Sequence, residues 1–126
     1  MLLDHAQSDR VLDLEPVADV GDVLAAQAAA GSVHGSDALR RYVVSILDAT
    51  RADPRVDLGA SPRAGLMLLK AAKAAAALDG RDHALPDDVQ ALAPSVLPHR
   101  LLLAPDAAGA SRIELVRETI ERVPAL

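Results

Sequence analysis

Gly59-Ala60-Ser61-Pro62-Arg63 is the stretch whose residue types and spacing could do chemistry. It reads as the start of a helix with an arginine at its mouth. Ser61 can accept a hydrogen bond from a first-turn amide. Pro62 suits the first helical position, where its absent N–H would have gone unpaired anyway, and Gly59 lets the approaching chain turn sharply. Arg63 then stands at the second helical position, where acids are the norm. A guanidinium there adds to the positive end of the helix dipole and is mildly unfavourable unless an anion lies close by. Arginine together with free terminal amides therefore points to phosphate binding. Taken alone, a single arginine at a helix start is more often a surface residue.

Other chemistry finds little support. His5, His34, His83 and His99 fall in four different connecting regions, and no pair has the spacing that sets two metal ligands on one helix face. No metal site is expected. Asp87-Asp88 is better explained as the acidic first turn of a helix than as an acid/base pair. Cysteine is absent, as are a Gly-x-Ser-x-Gly turn, a phosphate-binding loop and a dinucleotide fingerprint. No catalytic residue is assigned.

The elements that must position Arg63 are helices. Behind it, residues 61 to 79 form an alanine- and leucine-rich helix whose only charged stripe runs through Arg63, Lys70 and Lys73, so neighbours are expected on several sides. Lys70 and Lys73 are a solvated stripe or contacts to another chain. Gly80 supplies the left-handed residue after the last turn. Upstream, residues 1 to 18 read as an extended connector. Asp19 caps a first helix with Asp22 completing a capping box and Gly31 ending it.

Ser36 caps the most regular helix, in which Leu39, Tyr42, Val43, Ile46 and Leu47 recur at three-and-four spacing until Asp53-Pro54; Asp37 pairs with Arg40 and Arg41 on its outer face. Residues 53 to 60 are read as a loop, and 81 to 85 as a short extended link. Pro86-Asp87-Asp88 opens another helix, with Val89, Leu92, Ala93, Val96 and Leu97 inward and a kink or break near Leu92 caused by Pro94. Leu101 to Leu103 is a buried, strand-like crossing. A last helix from Ser111 to Val123 turns Ile113, Val116, Ile120 and Val123 inward and pairs Glu118 with Arg122.

The composition agrees with a small helical bundle. One domain of 126 residues, with Tyr42 as its single aromatic and a core of alanine and leucine, suits closely packed helices better than a β-sandwich. A net charge of −5 with no basic stripe argues against a nucleic-acid surface. No apolar run is long enough for a membrane span, and Asp4, Asp9, Arg10, Asp13 and Glu15 interrupt any signal core, so a cytoplasmic location is expected.

Five segments carry a family resemblance. Gly59 to Ala64, Leu68 to Ala74, Gly80-Arg81-Asp82, Pro86 to Val89 and Val96 to Leu101, in that order, resemble the C-terminal helical lid of MoxR-type AAA+ ATPases. Val33 to Asp37 fits as well. The resemblance implies an all-α bundle of about five helices at residues 19 to 126, with residues 1 to 18 as the connector from an upstream nucleotide-binding core. It implies that Arg63 plays the sensor 2 part, reaching toward the terminal phosphate of ATP, and that Gly59, Ala60, Ser61 and Pro62 are nucleotide-binding residues of the same motif. It further implies ATP or ADP with magnesium held mainly by the core, neighbouring subunits in a ring, and chaperone-like remodelling of partners that include von Willebrand factor A domain proteins.

The sequence departs from that pattern in two places. Leu85 stands where the family usually has a capping Ser or Thr, so that helix start should be weaker by about 1 kcal/mol. Walker A, Walker B and arginine-finger residues are not in this chain, which by itself should not turn over ATP. The alternative to the lid is a free-standing helical adaptor that binds a protein partner through Lys70 and Lys73.

Overall fold

A computed structural model describes residues 14–125. Five α-helices make the bundle: α1 (Val20–Ser32), α2 (Asp37–Ala52), α3 (Pro62–Leu78), α4 (Pro86–Val96) and α5 (Arg112–Arg122). The expected helix count is met. The 53 to 60 segment is more than a loop: β1 (Val56–Leu58) pairs antiparallel with β2 (Leu102–Leu103), matching Val56 to Leu103 and Leu58 to Leu102 around an irregularity. Leu102 faces solvent while Leu101 and Leu103 are buried, so only part of the crossing joins the core. Two residues are too short a run for alternation to reveal a strand.

Helix α3 is central, packed by α1, α2 and α4, and α5 closes the far side against α2 and α4. Ala64, Leu68, Ala72 and Ala76 form its buried stripe. Small side chains there let the axes approach closely: a methyl on Gly65 would fall 2.7 Å from Leu47 Cδ1 of α2. The other helices supply the bulk, with Tyr42, Ile46, Val89, Leu97, Leu115 and Val116 almost wholly buried. Tyr42 Oη accepts a hydrogen bond from Gln90 Nε2 at 3.1 Å, so the buried phenol does not stand unpaired. The neighbours do not reach all around α3, because Leu66 and Leu78 are 63% and 89% exposed.

Several local expectations need correction. Helix α1 runs through Gly31 to Ser32, and Gly80 is the only described residue with a left-handed backbone (φ 72°). The Asp19/Asp22 capping box forms with both bonds at 2.9 Å. Helix α4 runs unbroken from Pro86 to Val96, so Pro94 does not break it into two pieces. Its missing N–H costs the Gln90 carbonyl one bond near the C-terminal end, and Val89 and Ala93 are fully buried, so packing outweighs the loss. Ile113 is exposed rather than inward, and Leu115 and Thr119 take the buried positions beside Val116.

Glu118 and Arg122 form no ion pair with each other, and Arg122 Nε donates instead to the Glu118 backbone carbonyl at 3.3 Å. Both reach across to the segment after α2, where Arg55 Nη2 donates to Glu118 Oε2 at 2.7 Å and Arg122 Nη2 donates to Asp53 Oδ2 at 3.1 Å. Asp53 is buried and also accepts from the Arg55 amide, Nε and Nη2. These bonds hold its carboxyl well below the ordinary value of 3.8, against the opposing effect of burial. The result is an ionic clasp between α5 and the α2–β1 turn. Residues 1–13 of the proposed connector lie outside the described residues.

Candidate functional site

The α3 start is held by the end of α2. Thr50 Oγ1 accepts from the Ala60 amide at 3.0 Å and passes its own hydrogen to the Leu47 carbonyl at 2.7 Å. Arg51 grips the other side of the same residue, donating from Nε and Nη2 to the Ala60 carbonyl at 3.1 and 2.9 Å, while its Nη1 pairs with Asp48 at 2.9 Å. Ala60 is therefore bonded through both backbone groups and completely buried. Gly59 is required by contact: a methyl there would fall 2.5 Å from Arg51 Cγ and 2.8 Å from Arg51 Cα. Ser61 then caps α3, accepting from the Ala64 amide at 3.3 Å, and Pro62 takes the first helical position.

Arg63 follows directly and is exposed. Among the described residues its side chain makes no hydrogen bond and no ion pair, while Ala60 and Ser61 before it are both bonded. An unpaired cation thus stands on a helix start tied to α2. The terminal amides contribute less than expected. Pro62 has none and Ser61 occupies that of Ala64, so the guanidinium, with the Arg63 amide, is what this helix start offers an anion.

The five residues singled out from the sequence thus lie together, but only Arg63 presents a free charged group; Gly59, Ala60, Ser61 and Pro62 position it. Thr50 and Arg51 were missed. Neither carries a signal in the sequence, because what matters is a backbone contact from nine or ten positions away.

Elsewhere, Lys73 Nζ is taken by the Gly31 carbonyl at 2.7 Å, which leaves Lys70 as the freer of the two lysines. Asp88 accepts two bonds from Arg81, at 2.9 and 2.7 Å, and one from the Leu85 amide at 2.8 Å. It is structural, and Arg81 keeps its carboxyl below the ordinary range. His34 and His83 are brought side by side by a parallel bridge, with the His34 amide 2.7 Å from the Asp82 carbonyl. Among the described residues no group of three metal-ligating side chains forms, and no helix is long and apolar enough to cross a membrane.

Comparison with known proteins places this geometry in a family. A profile described as the AAA lid domain matches residues 48–122. The uncharacterized Bacillus subtilis protein YeaC is 41% identical over 119 residues, which take in 93% of this chain and 37% of YeaC. Chaperone MoxR1 of Mycobacterium tuberculosis is 38% identical over 100 residues, 72% of this chain and 26% of its own. Protein MoxR of Methylorubrum extorquens is 32% identical over 131 residues, 91% of this chain and 37% of its own. A candidate ATPase of known structure from Cytophaga hutchinsonii superimposes with a TM-score of 0.68 at 31% identity, over 77% of this chain and 32% of its own. The chain therefore spans between 26% and 37% of the length of these relatives. By the profile and these relatives, the chain belongs to the AAA lid domain family, in the group formed by the lids of MoxR-type AAA+ ATPases.

Proposed function

We propose that this bundle closes over ATP or ADP held by an AAA+ core and that Arg63 meets the terminal phosphate. The observation that carries the reading is an exposed, unpaired guanidinium on a helix start that is bonded to α2 through both backbone groups of Ala60 and capped by Ser61. Such a group fits a phosphate oxygen: nothing within the lid competes for it, and its mount passes any pull on the side chain into α2 and α3. Bound nucleotide with magnesium supplies the phosphoryl chemistry and most of its own contacts lie with the core. What this chain adds is one cation and the stiffness to turn its engagement into a movement of the bundle.

The wider reading rests on the family resemblance. It comprises a core elsewhere in the protein, ring-forming neighbours, cytoplasmic chaperone-like remodelling, and von Willebrand factor A domain proteins among the partners. The free-standing adaptor is less well supported, because one of its two contact lysines, Lys73, is engaged with Gly31.

The test is Arg63→Ala in the ATPase that carries this lid. Folding should be unchanged and ATP turnover should fall by about tenfold or more, as when one charge-stabilising contact is lost from a phosphoryl-transfer site. Unchanged turnover removes Arg63 from the mechanism.

A further inference from the structure

Arg100 ends the short turn Pro98–Arg100 that follows α4, and its side chain reaches back to α3. There Nη2 lies 2.9 Å from Met67 Sδ. Nε is buried and has no hydrogen-bond partner among the described residues. A thioether is a weak acceptor, and a buried N–H without one is rare in native interiors. The contrast with the clasp on Asp53 is plain, since Arg55 and Arg122 both end on carboxylate oxygens.

Met67 lies four residues after Arg63 and three before Lys70, spacings that set all three on one face of α3. The head group of Arg100 joins them there. Arg63 and Lys70 thus stand about one helical turn to either side of the methionine that Arg100 contacts. Among the described residues none of these cations has a carboxylate within ion-pair distance, whereas Arg40, Arg51, Arg55, Arg81, Arg117 and Arg122 all do.

We propose that Arg100 is a second phosphate-binding guanidinium of the Arg63 site, held against Met67 until a phosphate enters beside Arg63. The inference rests on the nucleotide-facing reading of Arg63. Exchanging the sulfur for phosphate oxygens gives the planar fork two parallel acceptors, one of them for the orphaned Nε. A lysine in its place would bring the charge without the fork. A cluster of cations also matches the dense charge of a polyphosphate better than that of a single carboxylate.

The probe is inorganic tripolyphosphate, titrated at low salt into the 126-residue chain with its arginine side chains labelled for NMR. The Nε–H signals of Arg63 and Arg100 should move along one saturation curve with a midpoint on the order of 1 mM. Arg100→Gln should weaken the binding read at Arg63 by about fivefold, with Arg100→Lys falling between, as expected for losing a bidentate partner. Met67→Leu, which removes the sulfur and keeps the volume, should leave binding unchanged or tighter, and covers the case in which Arg100→Gln does not fold.

Movement of Arg63 alone would overturn the role of Arg100 and leave the lid reading standing. Movement of neither would overturn the shared site, while the turnover of Arg63→Ala judges the lid reading separately. An equal response to acetate would overturn the phosphate assignment in favour of a carboxylate.

Discussion

Helices α3 and α4 both begin with proline at the first helical position, and each has an arginine close to that start. At α4 the arginine is Arg81, which pairs with Asp88 at 2.7 Å and with Asp79 at 2.9 Å and donates to the His83 carbonyl at 3.1 Å. Its guanidinium is consumed in tying the end of α3 to the start of α4. At α3 the arginine is Arg63, exposed and unpaired, while Arg51 does the tying from behind. The fold therefore solves the same problem twice, and at α3 it leaves the arginine of the helix start unused. An arginine that the fold does not use, standing where the helix dipole disfavours it, is the better candidate for an external anion.

The contrast breaks most severely at Gly59. Gly59→Ala would press a methyl against Arg51 Cα and N, at 2.8 and 2.9 Å, and α2 backbone cannot yield as a side-chain tip can. A loss of about 3 kcal/mol in denaturant unfolding is expected, at the upper end for overpacking. A loss below about 0.5 kcal/mol, within the ordinary surface range, would show that the mount is loose.

Next in size is the clasp on Asp53. Its partners Arg55 and Arg122 are partly solvated, with side chains 37% and 57% exposed, so Asp53→Asn should cost about 2 kcal/mol rather than the larger penalty of a fully buried pair. The pH dependence has a definite sign. The folded-state carboxyl titrates below the ordinary 3.8, so the unfolded chain binds more protons in acid. Its contribution is complete above about pH 4 to 5 and is lost as pH falls through the depressed folded value. Asp53→Asn should therefore flatten the acid limb of a stability-versus-pH curve while leaving the neutral region level. An acid limb as steep as that of the unmodified protein would remove Asp53 from the account.

Both ends of α3 were legible because capping is local: Ser61, Pro62 and Gly80 each declare their place to their immediate neighbours. The regular spacing of Leu39 to Leu47 made α2 legible for the same reason. The rest depended on contacts between distant residues. Nothing near Thr50 or Arg51 announces a hold on Ala60, and the pairing of Glu118 with Arg55 rather than Arg122 is decided by where the α2–β1 turn lands. Pro94 misled because its local cost is real but smaller than the burial that holds α4 in one piece. The missing cap at Leu85 was read correctly, while its replacement was not: the Asp88 carboxylate caps from the other direction by accepting from the Leu85 amide.

That replacement gives the smallest effect and the finest check. Leu85 is partly exposed, so Leu85→Ser gives up little apolar burial and adds an oxygen for the first-turn amides. A gain of about 0.5 to 1 kcal/mol is expected, the usual worth of an N-cap, read by thermal or denaturant unfolding. No gain would mean that Asp88 already satisfies this helix start.

The most direct measurement pairs Arg63→Ala with Arg81→Ala and records thermal unfolding of the chain and ATP turnover of the ATPase that carries it. Arg63→Ala should leave the unfolding temperature where it is and cut turnover by about tenfold or more. Arg81→Ala should lower the unfolding temperature and leave turnover of the folded enzyme much nearer to normal. If Arg63→Ala instead destabilises the bundle as Arg81→Ala does, or leaves turnover intact, then Arg63 is not a cation kept for phosphate and the central claim fails.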